Sequence, residues 1–136
     1  MSIESYTRLG IFSPILTPEE VDSALGIKCD KSYHSGDLRK PTIIREKKNG
    51  WIINSRLPRD ASLEDHIKDL LSRVSGLEDK IRELADRPGV EAEFTYVVFT
   101  NERLILFFPR KVVDTFFRMG VDLDIDFYIL PEDEDA

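Results

Sequence analysis

The sequence has a single cysteine, no long apolar run and no signal-peptide pattern. Cys29 alone cannot form an internal disulfide, which excludes the disulfide framework of small secreted domains. No stretch approaches the roughly 20 apolar residues of a membrane-spanning helix. Residues 1–10 contain Glu4 and Arg8 and lack the apolar core of a signal peptide. By elimination, we expect a cytoplasmic protein that does not associate with membranes.

Motifs of enzymes and of cofactor sites are also lacking. The seven glycines do not cluster as a phosphate-binding loop requires, and neither a dinucleotide fingerprint nor a nucleophile elbow occurs. His34, His66 and Cys29 do not have the spacing of a zinc site. We expect His66 to anchor helix packing through a hydrogen bond. The sequence therefore predicts a protein that is not an enzyme and has no cofactor and no metal.

The composition is that of one globular domain over residues 1–136, with a short acidic tail at 131–136. Hydrophobic residues make up 41% of the chain and charged residues 33%, which suits a soluble domain with a core of its own. The net charge of −7 opposes indiscriminate binding to nucleic acid or to anionic membranes. Residues 28–59 nevertheless hold nine Lys or Arg against three acids, so charge is polarised along the chain.

Apolar periodicity and turn residues predict an α+β fold, with a largely antiparallel sheet and helices packed on one face. Thr17-Pro18-Glu19-Glu20 has the pattern of a capping box, and Gly26 ends the short helix that follows. The order is βαββαβ followed by βαβ, a ferredoxin-like unit plus an extension. The predicted strands are 6–12, 31–35, one beginning at 51, 94–100, 104–108 and 122–130, and the predicted helices are 17–26, 62–86 and 109–120.

Two neighbouring segments carry more specific predictions. Strands 94–100 and 104–108 should form a hairpin, with Leu104–Phe108 central in the sheet because it is apolar throughout. Helix 62–86 has an apolar heptad stripe that suits either a coiled-coil seam between two chains or packing on the sheet. Gly76 interrupts this helix at a cost of about 1 kcal/mol, and we expect packing on the sheet. The stripe consists of Leu63, Ile67, Leu70, Val74, Leu77, Ile81 and Leu84.

Four segments resemble a bacterial family of uncharacterised proteins, the domain of unknown function 4279. They are Lys31–Arg39 (KSYHSGDLR), Gly50–Ser55 (GWIINS), Leu63–Ile67 (LEDHI) and Gly120–Tyr128 (GVDLDIDFY). The likeness spans nearly the whole chain and rests on the order and spacing of these segments. The resemblance implies a bacterial source and a shared fold. It implies no activity.

The most distinctive candidate site combines aromatic and charged residues: Tyr33, His34, Asp37, Arg39 and Trp51. In one interpretation it is structural, because Trp51 packs in the core, Asp37 caps a turn and the basic side chains are solvated. In the other, a loop rich in Lys and Arg with flanking aromatic residues binds an anion or an acidic partner. The sequence leaves both interpretations open.

A second candidate surface is a row of acids on the last strand. Asp122, Asp124 and Asp126 share one face of that strand, at a spacing of roughly 6.5 Å. This spacing is too wide for one cation without further ligands, so a metal site is disfavoured. The remaining alternatives are a solvated sheet face and an acidic surface that contacts a partner.

We therefore expect a protein-binding module whose partner is another protein, and a chain that is a monomer or a homodimer. By analogy, small bacterial immunity proteins are often acidic because the toxins they block are often basic. In such a role the acids of the last strand and of the tail, including Glu132 and Asp133, would steer the partner. The alternative is nucleic-acid binding through the basic segment 28–59, with Tyr33 or Trp51 stacking on bases.

Overall fold

The computed structural model describes residues 3–131. Its elements in chain order are β1 (Ile3–Ser13), α1 (Pro18–Leu25), β2 (Lys31–Tyr33), β3 (Asn49–Asn54), α2 (Leu63–Arg73), α3 (Glu78–Ala85), β4 (Glu91–Thr100), α4 (Arg110–Met119) and β5 (Asp122–Ile129). The strands form one mixed sheet in the order β2-β3-β1-β4-β5. Only the β4–β5 pair is parallel, so the α+β class and the largely antiparallel sheet are confirmed. None of the described helices is long and apolar enough to cross a bilayer.

Strand alternation gives the sheet two different faces. Leu9 and Ile11 of β1 lie beside Ile53 of β3 and Phe94 of β4, and these side chains are buried. All four helices contribute residues to the core that covers this face. The helices therefore pack on one face, as predicted. Among residues 3–131, no helix packs on the opposite face, which is called the open face below.

Helix α1 begins and ends as its sequence predicts. Thr17 Oγ1 accepts a hydrogen bond from the Glu20 N–H at 3.2 Å, and Glu20 Oε1 accepts one from the Thr17 N–H at 3.4 Å. Gly26, with φ +71°, closes the helix in the left-handed conformation. Asp22 of α1 accepts a hydrogen bond of 2.7 Å from the indole N–H of Trp51, which fixes α1 against β3.

The prediction of one long helix over 62–86 is wrong. The chain forms two helices in this range, α2 and α3, with a turn between them. Gly76 lies in this turn with φ +83°, a conformation that other residues adopt only with strain. The turn lets both helices direct their apolar residues inward, as buried Ile67 on α2 and Ile81 on α3 show. Every residue of the heptad stripe packs into or against the chain's own core, as expected for packing on the sheet.

The predicted hairpin of 94–100 with 104–108 is also wrong. Strand β4 pairs with β1 on one side and with β5 on the other, so neither of its edges is free for another strand. Leu104–Phe108 instead runs outside the sheet as an unpaired connection to α4. The predicted ferredoxin-like unit is not confirmed. The predicted tail beyond Pro131 lies outside the described residues.

We predict that Gly76→Ala lowers the free energy of unfolding by about 1 kcal/mol, because alanine is strained at positive φ. A continuous helix would give the opposite sign, since alanine is favoured over glycine in a helix interior by about 1 kcal/mol. Urea unfolding measures the difference. Ser75→Ala, at the exposed neighbouring position, is the control and should change stability by less than about 0.5 kcal/mol. If Gly76→Ala is more stable than the wild type, the chain does not turn at Gly76 between α2 and α3.

Candidate functional site

The candidate site is a cavity of about 1330 Å³ on the open face, between the sheet and the loop formed by residues 34–48. Its floor comes from β1, β2, β3 and β4, and its wall comes from the loop. The loop is exposed over most of its length. Helices thus cover one face of the sheet, and a polar loop covers part of the open face.

Two glycines shape the floor of this cavity. A Cβ atom on Gly50 would lie 2.3 Å from Tyr33 Cζ, and a Cβ atom on Gly10 would lie 2.5 Å from the Phe12 ring. The rings of Tyr33 and Phe12 therefore lie directly over glycine backbone, a position that a side chain would block. Ile52 completes an apolar floor. Burial raises the pKa of the Tyr33 hydroxyl, so the ring stays neutral.

The loop has a defined internal structure, in which one antiparallel β-bridge joins Leu38 to Arg45. Arg39 Nε and Nη2 donate to the two carboxylate oxygens of Glu46 at 3.0 and 3.1 Å, a bidentate pair. The Glu46 N–H donates to the Asp37 carbonyl at 2.7 Å, and Arg45 Nη1 donates to the Gly36 carbonyl at 2.8 Å. Glu46 thus neutralises Arg39 and holds it within the loop. These contacts preorganise the wall of the cavity.

His34 joins the start of the loop to helix α1. Its Nε2 lies 2.8 and 2.9 Å from the two carboxylate oxygens of Glu19. The hydrogen bond to Glu19 raises the pKa of His34, and the same bond lowers the pKa of Glu19. Asp37 Oδ2 accepts a hydrogen bond of 2.7 Å from the His34 N–H, so Asp37 caps this turn as one interpretation of the sequence expected.

Basic side chains surround much of the cavity, and several have no ion-pair partner among residues 3–131. The basic rim is defined as Arg8, Lys31, Lys40 and Lys47, which line the cavity and whose side chains form neither a salt bridge nor a hydrogen bond within that range. Lys48 and Arg39, by contrast, pair with Glu91 and Glu46. The rim is therefore the part of the positive charge that is available to a ligand.

Negative charge lies along the other side of the open face. The acidic row is defined as Glu91, Glu93, Asp122, Asp124 and Asp126. Glu93 lines the cavity, and its register partner on β5 is Asp122. Burial raises the pKa of Glu93, and the nearby carboxylate of Asp124 raises it further. The predicted alternation of β5 thus places its three aspartates on the open face, where Asp122 lies next to the cavity residue Glu93.

The structure brings together only part of the predicted site. Tyr33, Asp37 and Arg39 line the cavity, and His34 anchors its loop. Trp51 does not belong with them, because its side chain has no solvent exposure and lies in the core on the opposite face. A residue with that orientation cannot contact a partner at the cavity. Trp51 therefore lies in the core, where the structural interpretation of the sequence placed it.

Sequence reasoning missed the floor residues Arg8, Phe12, Ile52 and Glu93. A signal for part of this floor was present in β1, where Gly10 interrupts an apolar strand. An isolated glycine in a strand often marks the close approach of another group. The pairing of Glu93 with Gly10 across β1 and β4 depended on a register that the sequence did not reveal.

Elsewhere, Ser55 and His66 form a hydrogen bond of 2.8 Å that resembles a nucleophile and its base. His66 is fully buried, and Ser55 Oγ also accepts the Thr7 N–H at 3.0 Å. Burial lowers the pKa of His66 and favours the neutral ring. The pair thus joins the residue that follows β3 to α2 and packs both against Thr7 of β1. Within the described residues, no group of three or more His, Cys, Asp or Glu is arranged to hold a metal ion.

The chain belongs to the family described as Domain of unknown function (DUF4279), whose model matches residues 3–130. The match includes the whole cavity and the acidic row. A search of the curated proteins and a search of the solved structures each found no match.

The raised pKa of His34 and the lowered pKa of Glu19 predict that the stability contributed by their contact depends on pH. The contribution of His34, whose pKa is raised, is fully present below its usual pKa of 6.5 and is lost as pH rises through the raised value. The contribution of Glu19, whose pKa is lowered, is present above its usual 4.5 and is lost as pH falls through the lowered value. An NMR titration should give His34 a higher pKa in the wild type than in Glu19→Gln. Equal values would contradict the contact, and His66 serves as the internal control.

A double-mutant cycle tests the floor of the cavity. Gly50→Ala should destabilise the wild type by about 1–2 kcal/mol, because the new Cβ displaces the Tyr33 ring. In a Tyr33→Ala background the same change should be neutral or stabilising, since the clash is gone and alanine restricts the unfolded chain. Urea unfolding of the four proteins gives the coupling. Equal effects of Gly50→Ala in both backgrounds would show that the ring does not lie over Gly50.

Proposed function

We propose that the chain is a non-enzymatic protein-binding module, of bacterial origin and cytoplasmic, which binds another protein at the cavity of the open face. The observation that carries the proposal is the placement of both signs of charge around one apolar floor. Lys31, Lys40 and Lys47 of the basic rim lie on β2 and the loop, and the acidic row lies on β4 and β5. Arg8, on β1, lies close enough to Glu93 to favour its charged form, and the rings of Phe12 and Tyr33 form the floor. Charge complementarity around an apolar centre is characteristic of specific protein recognition.

The chemistry of the site specifies the partner's surface. An apolar or aromatic side chain of the partner would fill the floor over Tyr33 and Phe12, where water is easily displaced. Carboxylates of the partner would pair with Lys31 and Lys47 of the basic rim. A lysine or arginine of the partner would lie near Glu93. Its positive charge would stabilise the ionised carboxylate of Glu93, which burial and Asp124 disfavour.

An immunity-protein-like role is a narrower form of this proposal. A basic toxin would be attracted by the acidic row and by the net charge of −7. Electrostatic steering of this kind raises the association rate more than the affinity and weakens with salt. The charges of Asp122, Asp124 and Asp126 would thus act on the approach of the partner, while the cavity holds the final contact.

Nucleic acid is a second candidate because the basic rim and the Tyr33 ring line the same cavity. A single strand could run along the rim with one base on the ring. Glu91 and Glu93 oppose this, since they place carboxylates beside the path of the phosphates. The two candidates differ in their response to nuclease.

Capture from lysate of the encoding bacterium, with a triple variant, tests the proposal. Lys31→Glu/Lys40→Glu/Lys47→Glu reverses the rim at positions that hold no ion pair among residues 3–131. It should weaken retention of a stoichiometric protein partner by at least about tenfold, and the wild-type complex should survive nuclease.

The matched control is Lys80→Glu/Lys111→Glu, which reverses two exposed lysines of α3 and α4, away from the cavity. It should retain the partner. Equal retention by the control and the triple variant would refute the location of the site. Retention of RNA or DNA alone, lost with nuclease, would favour the second candidate.

A further inference from the structure

Arg8 differs from the other members of the basic rim in its position and its burial. It lies on the central strand β1, and its side chain lines the cavity. The three lysines of the rim are exposed, so water solvates their charges, whereas Arg8 is half-buried. Within residues 3–131 its guanidinium has no carboxylate at salt-bridge distance and no hydrogen-bond partner. A partly desolvated charge at the centre of the open face is thus left without a counter-ion.

Two buried oxygens beside Arg8 also lack partners. Asn54 on β3 and Thr95 on β4 are its register neighbours on the two sides, so all three side chains lie on the open face. Thr95 is 1% exposed, and neither its Oγ1 nor Asn54 Oδ1 has a hydrogen-bond partner in the described part of the chain. Buried polar atoms without partners are rare in native proteins, because each one costs free energy. Asn54, Arg8 and Thr95 are called the polar row below.

The polar row has the donors and acceptors of an anion site. A guanidinium has five N–H groups, so Arg8 can donate to both unpaired oxygens and still present two parallel donors to a ligand. Those two donors match the two oxygens of a carboxylate. The pairing of β1 on both sides holds the backbone of Arg8 in place, so the donors start from a rigid base.

The surroundings of the polar row distinguish between anions. Arg8 lies close enough to Glu93 to favour its ionised form, and Asp124 is the register neighbour of Thr95 on β5. Both acids repel an incoming anion, and the repulsion grows with the charge of that anion. A carboxylate carries one negative charge, whereas a phosphate monoester carries nearly two at neutral pH. The site therefore favours a single carboxylate over a phosphate group.

We propose that an aspartate or glutamate side chain of the partner protein enters the cavity and forms a bidentate pair with Arg8. This inference rests on the proposed function and names the residue that determines which surface of a partner is accepted. Asn54 and Thr95 are positioning residues, because their oxygens orient the guanidinium and do not touch the partner. A charge pair at a half-buried place contributes more to specificity than pairs at the exposed lysines of the rim.

NMR titration of the full chain with two small ligands tests the site in the absence of a partner. N-acetylglutamate amide presents one side-chain carboxylate, and N-acetylglutamine amide is its uncharged counterpart. The first should shift the Arg8 Nε–Hε and Thr95 N–H resonances saturably, with a dissociation constant on the order of 10 mM. The second should bind at least about tenfold more weakly, because it cannot form the charged pair. Equal binding of the two ligands by the wild type overturns the proposal.

Arginine-to-lysine changes at two positions of the open face provide a matched comparison. Arg8→Lys should lower the affinity for N-acetylglutamate amide at least about fivefold, because a lysine keeps the charge and loses the paired donors. Arg59, an exposed arginine over the Tyr6 ring, does not line the cavity. Arg59→Lys should therefore bind like the wild type. Unchanged affinity in Arg8→Lys, followed through the Thr95 N–H, overturns the proposal.

Substitution of Thr95 separates positioning from stability. Thr95→Val should weaken binding of N-acetylglutamate amide at least about threefold, because the guanidinium loses an acceptor. The midpoint of urea unfolding should stay the same or rise, since the lost Oγ1 has no partner among residues 3–131. Thr95→Ser keeps the hydroxyl and should bind like the wild type. If Thr95→Val binds like the wild type, Thr95 does not position Arg8.

Capture from lysate distinguishes this inference from the proposed function. Arg8→Gln should lose the stoichiometric protein partner, and Arg59→Gln should retain it. Retention of the partner by Arg8→Gln overturns the inference and leaves the protein-binding module standing. Binding of N-acetylglutamate amide that depends on Arg8, with no protein captured by the wild type, supports the carboxylate site and counts against the proposed function.

Discussion

Strand β1 occupies the centre of the sheet, and its two-sided pairing is the constraint on which the rest of the structure depends. It pairs with β3 and with β4, so every residue of its middle part has a backbone neighbour on both sides. Successive side chains must then point to opposite faces. Leu9 and Ile11 are committed to the helical core, while Arg8, Gly10 and Phe12 are committed to the open face. One strand therefore specifies both the core and the cavity.

The two faces are covered in physically different ways. The helical face is closed by apolar burial, which is non-directional and involves all four helices. The open face is closed by directional contacts of a single loop, above all the Arg39–Glu46 pair and the tie between His34 and Glu19. Exposed ion pairs of this kind contribute little stability each. Their value lies in geometry, because they hold a polar wall at a fixed position over the rings of Phe12 and Tyr33.

Local signals in the sequence were sufficient for much of the fold. The cap at Thr17, the ends of α1 and α4, and the alternation of β5 follow from short-range chemistry and are confirmed. Gly76 is compatible with a helix at a small cost in stability, but glycine favours a left-handed turn more strongly, and such a turn separates α2 from α3. Strand pairing could not be obtained in this way, since it depends on which edges are already occupied. The same limit applies to the site: Tyr33 and Asp37 can be identified from the sequence, but the face of β3 that carries Trp51 and the position of Glu93 both depend on the pairing of the strands.

The displaced segment 103–108 shows how the choice of strand neighbour decides which side chains reach the open face. Its apolar sequence suits a central strand, yet β4 takes β5 as its parallel neighbour through the α4 crossover. Strand β5 brings three aspartates to the open face, which segment 103–108 could not supply because it has no acid between Leu104 and Phe108. The pairing of β4 with β5 therefore brings three aspartates to the open face and leaves segment 103–108 outside the sheet.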